Sequence, residues 1–149
     1  MIFDFACTFF ADGKPIPKGN HRAFVRGKKA VITDARGASL SDWENSIRIQ
    51  ARNNFNRPLI RNKGVFLKIV FVFQHPKNHF TSKGKPSKLY REKHITRPDA
   101  DKLLRAVCDA LTGTVYEDDS QVCKLLIDKD YDITPGVRIS IYIEKEQQI

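Results

Sequence analysis

The hydrophobic and polar positions divide the chain into stretches of two different periods. From Ile2 to Phe10 they alternate, Phe3, Phe5, Cys7 and Phe9 on one side, Asp4 and Thr8 on the other. A period of two predicts a strand with one buried face. Ala30 to Thr33 predicts a second strand ending at Asp34, and Val65 to Phe73, apolar almost throughout, predicts a central strand buried on both faces. Val122 to Leu126 and Val137 to Ile143 predict two more, joined as a hairpin through Asp128, Asp130, Asp132 and the Pro135-Gly136 turn. The period lengthens to that of a helix twice. Trp43, Ile47, Ala51 and Phe55 recur every four residues behind a capping-box pattern, Ser41 to Glu44. This predicts a helix over 41–57, with Glu44 and Arg48 paired on its outside and Pro58 ending it. Leu103, Leu104, Val107 and Leu111 predict a helix over 101–112, N-capped by Asp101 and stopped at Gly113. Lys102, Arg105 and Asp109 share its opposite face, and Thr114-Val115-Tyr116 returns as a short strand. The fold class is therefore α/β (mixed α+β). One domain, 1–149, holds a mixed sheet with two packed helices.

Composition narrows the partner. Twenty-six Lys and Arg against seventeen Asp and Glu give a net charge of +9, which points to a polyanion. The cations gather in two places. Lys14, Lys18, His21, Arg22, Arg26, Lys28 and Lys29 surround Pro15-Ile16-Pro17. Rigid prolines would hold such cations for gripping phosphates, with Lys18 and Arg22 as DNA contacts. From Pro76 to Thr96 nothing is periodic, and Lys77, Lys83, Lys85, Lys88, Arg91 and Lys93 face one acid, Glu92. A long basic loop over 77–96 predicts a flexible arm that orders on nucleic acid, with Lys83, Lys85 and Lys88 on phosphates. Cys7, Cys108 and Cys123 form no Cys-x-x-Cys pair and read as reduced, buried or semi-buried thiols of a cytoplasmic protein. The apolar run at the start is too short to span a membrane, is broken by Asp4 and lacks the basic region of a signal peptide.

In so basic a chain the acids are informative. Asp99 and Asp101 open the second predicted helix, and Asp118 and Asp119 follow its end. If the chain returns them to the helix start, three or four carboxylates converge, and such a cluster calls for a cation. Carboxylates without Cys or His select Mg²⁺, with Mn²⁺ as a substitute. The histidines are assigned no metal. Arg105, one turn beyond Asp101, would reach the same pocket and hold a scissile phosphate. Such a site suits metal-assisted phosphodiester hydrolysis. The plainer reading makes the four aspartates helix caps and an exposed turn.

The run Asp99-Ala100-Asp101-Lys102-Leu103-Leu104-Arg105, then Asp109-Ala110-Leu111, then Asp118-Asp119-Ser120-Gln121-Val122, resembles the RusA-type Holliday junction resolvases of phages and prophages. Their signature is Asp-x-Asp-Asn-Leu-x-Lys, Asp-Ala-Leu and Asp-Asp-x-Gln-Val. The resemblance extends to Gly13-Lys14-Pro15-Ile16-Pro17-Lys18-Gly19 and the basic loop. It implies a homodimeric, Mg²⁺-dependent endonuclease that resolves four-way junctions by paired symmetric nicks in DNA recombination and repair. By position, Asp99, Asp101 and Asp119 would be the metal ligands and catalytic acids, with Asp118 adjacent. Lys102 stands where the family usually has Asn, and is taken as a further DNA contact; Arg105 stands in place of Lys. Two rival readings are a non-catalytic, structure-selective DNA-binding protein and a metal nuclease acting on flaps or other branched nucleic acid.

Overall fold

A computed structural model describes residues 2–19, 21–26, 29–34 and 37–147, with the backbone alone for 21–26, 29–34 and 37–38. The chain is mixed α+β. In order it forms β1 (Phe3–Asp12), β2 (His21–Arg26), β3 (Lys29–Asp34), α1 (Gly37–Asn54), β4 (Val65–Phe73), α2 (Ala100–Leu111), β5 (Val122–Tyr131) and β6 (Gly136–Glu144). Single 3₁₀ turns lie at Lys77–His79 and Asp119–Gln121. Four strands make one sheet in the order β1-β6-β4-β5, and β2 and β3 pair as a separate antiparallel ribbon.

The central strand is β4, antiparallel to β6 and parallel to β5. Val65, Leu67, Ile69 and Phe71 are wholly buried, each worth about 1.5–3 kcal/mol of apolar transfer. Against that face lie Leu40, Trp43, Ile47 and Ala51 of α1 and Leu103, Val107 and Leu111 of α2. The opposite face is not covered as its composition predicts: Lys68 is exposed, and Val70 and Val72 are half-buried. β5 corrects the expected hairpin. Because β4 lies between β5 and β6, the chain leaves one side of β4 and rejoins on the other, and Asp128 and Asp130 belong to the strand.

β1 departs from strict alternation. The register shifts between Phe5 and Cys7, which sets Ala6 in a bulge. Cys7, Phe9 and Ala11 enter the core, while Phe3 packs at a tilt against Phe66 and Phe5 edge-on against Tyr142. Four aromatic-rich positions that read as one face are therefore split between two. Gly136, opposite Asp12, leaves no room for a side chain: a Cβ there would lie 2.4 Å from the Ala11 carbonyl oxygen.

Both helices start earlier than their capping signals suggest. α1 begins at Gly37, so Ser41 lies inside it and the expected capping box does not form. Its core stripe stands as read: Trp43, Ile47, Ala51 and Phe55 are all buried. Arg48 donates to Asn45 Oδ1 at 2.6 Å, and its charge still acts on Glu44 from one turn away. α2 starts at Ala100, with Asp99 as its N-cap and Asp101 in the first turn. Gly113, at φ +81°, marks the stop, and its N–H donates to the Tyr116 carbonyl. The segment after it is a buried turn and not a strand, with the Tyr116 hydroxyl donating to the Cys108 carbonyl at 3.0 Å. No helix among the described residues is long and apolar enough to cross a membrane.

Candidate nucleic-acid site

The 48-residue crossover from β4 to β5 carries most of the charged groups singled out by sequence, and it is tied to the sheet at several points. Its 77–96 segment is folded, not an extended arm. Phe80 bridges Pro86, the Ser87 hydroxyl donates to the Asn78 carbonyl at 2.5 Å, and the Lys93 ammonium reaches Asp130 at 2.5 Å and Asp128 at 3.3 Å. The His94 N–H donates to the Lys129 carbonyl, laying the segment along the edge of β5. Lys83, Lys85 and Lys88 remain exposed.

Aromatic packing fixes the base of this segment. His75 stacks on Tyr131 at 4.3 Å between centroids and on Tyr90 at 5.0 Å, and His94 stacks on Phe73 at 3.9 Å. His75 and His79, four apart, meet Nδ1 to Nδ1 at 2.8 Å, one ring donating and the other accepting. Burial first, then His79, pushes the His75 pKa below 6.5; burial and then Lys129 do the same to His94.

Lys129, on β5, positions the approach to α2. Its ammonium donates to the carbonyls of Thr96 at 2.7 Å and Pro98 at 2.6 Å, which sets Asp99 at the helix start. The other acidic pair is held from the opposite end of α2. Gln121 Nε2 donates to the carbonyls of Ile60 and Lys63, both at 3.1 Å, and its Oε1 accepts from the Asp118 N–H. The Asp118 carboxylate accepts from the Ser120 N–H, which holds it below the usual range. Burial raises Asp119, followed by Asp118 and Asp109, against a lowering by Arg105.

The predicted site residues are thus distributed as two groups along α2. Asp99 and Asp101 stand at its start, and Asp119 lies within the field of Arg105 and Asp109. The donors are carboxylates alone, the chemistry of a hard divalent ion. Among the described residues, however, no three His, Cys, Asp or Glu side chains group closely enough to enclose one. Asp109, given no role from sequence, is a centre of the arrangement: it pairs with Lys18 at 2.6 Å. Lys18 also reaches Glu44 at 3.6 Å, and its N–H donates to the Lys102 carbonyl. It is therefore a clamp between α1 and α2, not the open phosphate contact its loop suggests. The side chain of Arg22 lies outside the described residues. Cys7 and Cys108 are buried, while Cys123 is exposed, against expectation.

Beside Asp99 opens a cleft of about 1060 Å³. Among the described residues its charged walls are Lys14, Lys77, Arg97 and Lys102 together with that carboxylate. Pro15, Ile16 and Pro17 line it from the loop after β1, and Phe73, His75, His94 and Tyr131 from the sheet and the crossover. No local pattern announces these residues, because they come from four separated segments.

Comparison with known proteins agrees with this architecture. The profile of one family, described as Endodeoxyribonuclease RusA, matches residues 12–142. Among curated proteins, "Uncharacterized protein YqaN" of Bacillus subtilis (strain 168) is 28% identical over 135 residues, covering 89% of this chain and 93% of the relative.

Proposed function

Because the chain belongs to the RusA endodeoxyribonuclease family, we propose that it is a Mg²⁺-dependent endonuclease of branched DNA that resolves four-way junctions by paired nicks. The observation that carries the reading is the placement of Asp99 in the wall of a cleft that it shares, among the described residues, with four cations. Such walls draw in a strand's phosphates and bring one of them to a carboxylate.

In this reading Asp99, Asp101 and Asp119 hold the ion and Asp118 shapes the turn that presents Asp119. Among the described residues these acids do not close round one point, so the ion would complete its shell with waters and substrate phosphates, as Mg²⁺ does. When bound, the ion supplies an activated water and polarises the phosphoryl oxygen. Arg105, exposed on α2 beside Asp119, holds the phosphate and the charge that grows on it. Lys14, Lys77, Arg97 and Lys102 position the flanking phosphates, and Lys83, Lys85 and Lys88 extend the contact along an arm of the junction. Two symmetric nicks in a two-fold junction call for a homodimer with one site per subunit. The setting is DNA recombination and repair in the cytoplasm.

The test is a synthetic four-way junction beside linear duplex, each with and without Mg²⁺. Paired nicks in the junction alone, dependent on the metal, are expected. In Asp101→Asn, cleavage should fall by at least on the order of a hundredfold while junction binding stays or tightens. Undiminished cleavage by that variant removes the metal-site assignment. Tight binding by the wild type without cleavage in Mg²⁺ or Mn²⁺ makes the chain a structure-selective DNA-binding protein instead, and preferred cutting of flaps moves it to another branched substrate.

A further inference from the structure

We propose that the cleft beside Asp99 is a slot for one unstacked nucleotide of the bound strand, its base lying on the ring layer of the cleft and its phosphates on the cationic rim. The proposal rests on the reading of the chain as a junction nuclease and adds a contact to a base, where that reading needs only phosphates.

Two observations carry it. The first is shape and material. At about 1060 Å³ the cleft exceeds what a phosphate needs and has the size of a small-molecule pocket. It is lined by flat, stiff groups: the rings of His75 and Tyr131 lie 19° from parallel, as do those of His94 and Phe73. Pro15 and Pro17, both buried, add rigid apolar surface. Base stacking uses surfaces of this kind because every base has a π-face.

The second is charge. An apolar floor alone would suit a lipid chain or a peptide, but here, among the described residues, Lys14, Lys77, Arg97 and Lys102 line the cleft with Asp99. An aromatic floor within a cationic rim is the combination that single-stranded nucleic acid requires. A base within a duplex is stacked on both sides and faces its partner, so it cannot enter a lateral slot. At a branch point or a mismatch the cost of unstacking is smallest. The slot therefore favours branched over linear DNA without reading a sequence.

The experiment uses the full chain in chelator, so that nothing is cut. Affinity is measured for a four-way junction with one unpaired nucleotide at its branch and for the same junction with that nucleotide abasic. Neither probe must break a pair. The wild type should bind the base-bearing junction roughly 5- to 100-fold more tightly. Thr96→Trp fills the slot from its exposed rim and removes no packed group, so the ratio should fall to near one with an unchanged melting temperature. His75→Leu keeps the apolar bulk and removes the ring, so it should lower the ratio from the opposite direction. A wild-type ratio of one, or a ratio that survives Thr96→Trp, overturns the slot. The same pair of measurements on a short single strand separates the two readings. A base effect there, with no preference for the junction, overturns junction recognition and leaves the slot standing. Junction preference without a base effect does the reverse.

Discussion

The two basic stretches of this chain are alike in composition and unlike in use. Residues 14–19 and 77–97 both bring lysines, prolines and glycines with few or no acids. Within the first, Lys18 is enclosed by Asp109 and Glu44 and joins the two helices. Within the second, Lys83, Lys85 and Lys88 stand exposed while Lys93 is tied to Asp128 and Asp130. Charge runs do not reveal which cations the fold itself neutralises. That depends on acids brought from elsewhere in the chain: Asp109 lies on a helix and Asp128 on a strand, each distant in sequence from its lysine.

The contrast is most easily broken through DNA affinity. Replacing Lys83, Lys85 and Lys88 by Ala should lower the salt slope of junction binding by about 2–3, each lysine releasing close to one counterion, and weaken binding at physiological salt on the order of 10²-fold. Folding stability should be unchanged. A slope equal to that of the wild type would put these lysines off the DNA path.

Lys18→Met should do the opposite. Its charge is already matched within the fold, so the salt slope should stay, while stability falls by about 1–2 kcal/mol as Glu44 and Asp109 lose their cation, a figure moderated by solvent reaching the pair. Burial already raises the Glu44 pKa above the usual 4.5, with Lys18 opposing it. A protonated Glu44 needs no partner. The penalty should therefore be full at pH 7 and shrink as pH falls through the Glu44 titration, which urea unfolding at pH 7 and 4.5 would measure. A changed salt slope with intact stability would return Lys18 to the DNA surface.

The histidines at the base of the crossover give a smaller effect. His75 and His94 titrate below 6.5 in the folded chain. As pH drops from about 6.5, the unfolded chain takes up protons first, so stability is full above that value and declines below it. Thermal midpoints at pH 7.5 and 5.0 should show the decline, and His94→Phe should reduce it. The smallest effect is expected of Lys93→Ala. That ammonium lies on a largely exposed side chain, so global unfolding should hardly change, while exchange of the His94 amide, which donates to the Lys129 carbonyl at 2.9 Å, should quicken. Unaltered exchange would show that backbone pairing alone holds the segment.

How much of this was legible in the sequence follows from where each signal resides. β4 and α2 carry their information locally: an apolar run broken only at Lys68, and Leu103, Val107 and Leu111 on one helical face. The acids at 99, 101, 118 and 119 were recognisable by residue type and spacing. β1 misled because a bulge at Ala6 leaves no mark in a period of two, and two further phenylalanines appear to continue the pattern. The start of α1 misled because Ser41 and Glu44 match the capping-box sequence pattern although they lie inside a helix that Gly37 has already begun. β5 misled because strand order is set by what covers β4, not by chain neighbours. The cleft was hidden for a related reason. Its floor joins Pro15 and Pro17 to His75, His94 and Tyr131, and only the closed sheet makes them neighbours.

The parallel pairing of β4 with β5 has a consequence for how such a protein can change. Parallel neighbours cannot be linked by a tight turn, so the chain is obliged to make a long excursion between them. Nearly everything assigned to DNA is housed in that excursion, while the four-stranded sheet beneath it is completed by strands on either side. The arrangement resembles a socket with one exchangeable plug. Residues 74–121 could be transplanted from a relative as a single continuous piece, provided it brings the apolar face of Leu103, Val107 and Leu111 to the core, an acid for Lys18, a glutamine for the Ile60 and Lys63 carbonyls and two carbonyls for Lys129. Target preference could then diverge in one stretch of gene while the framework is inherited intact.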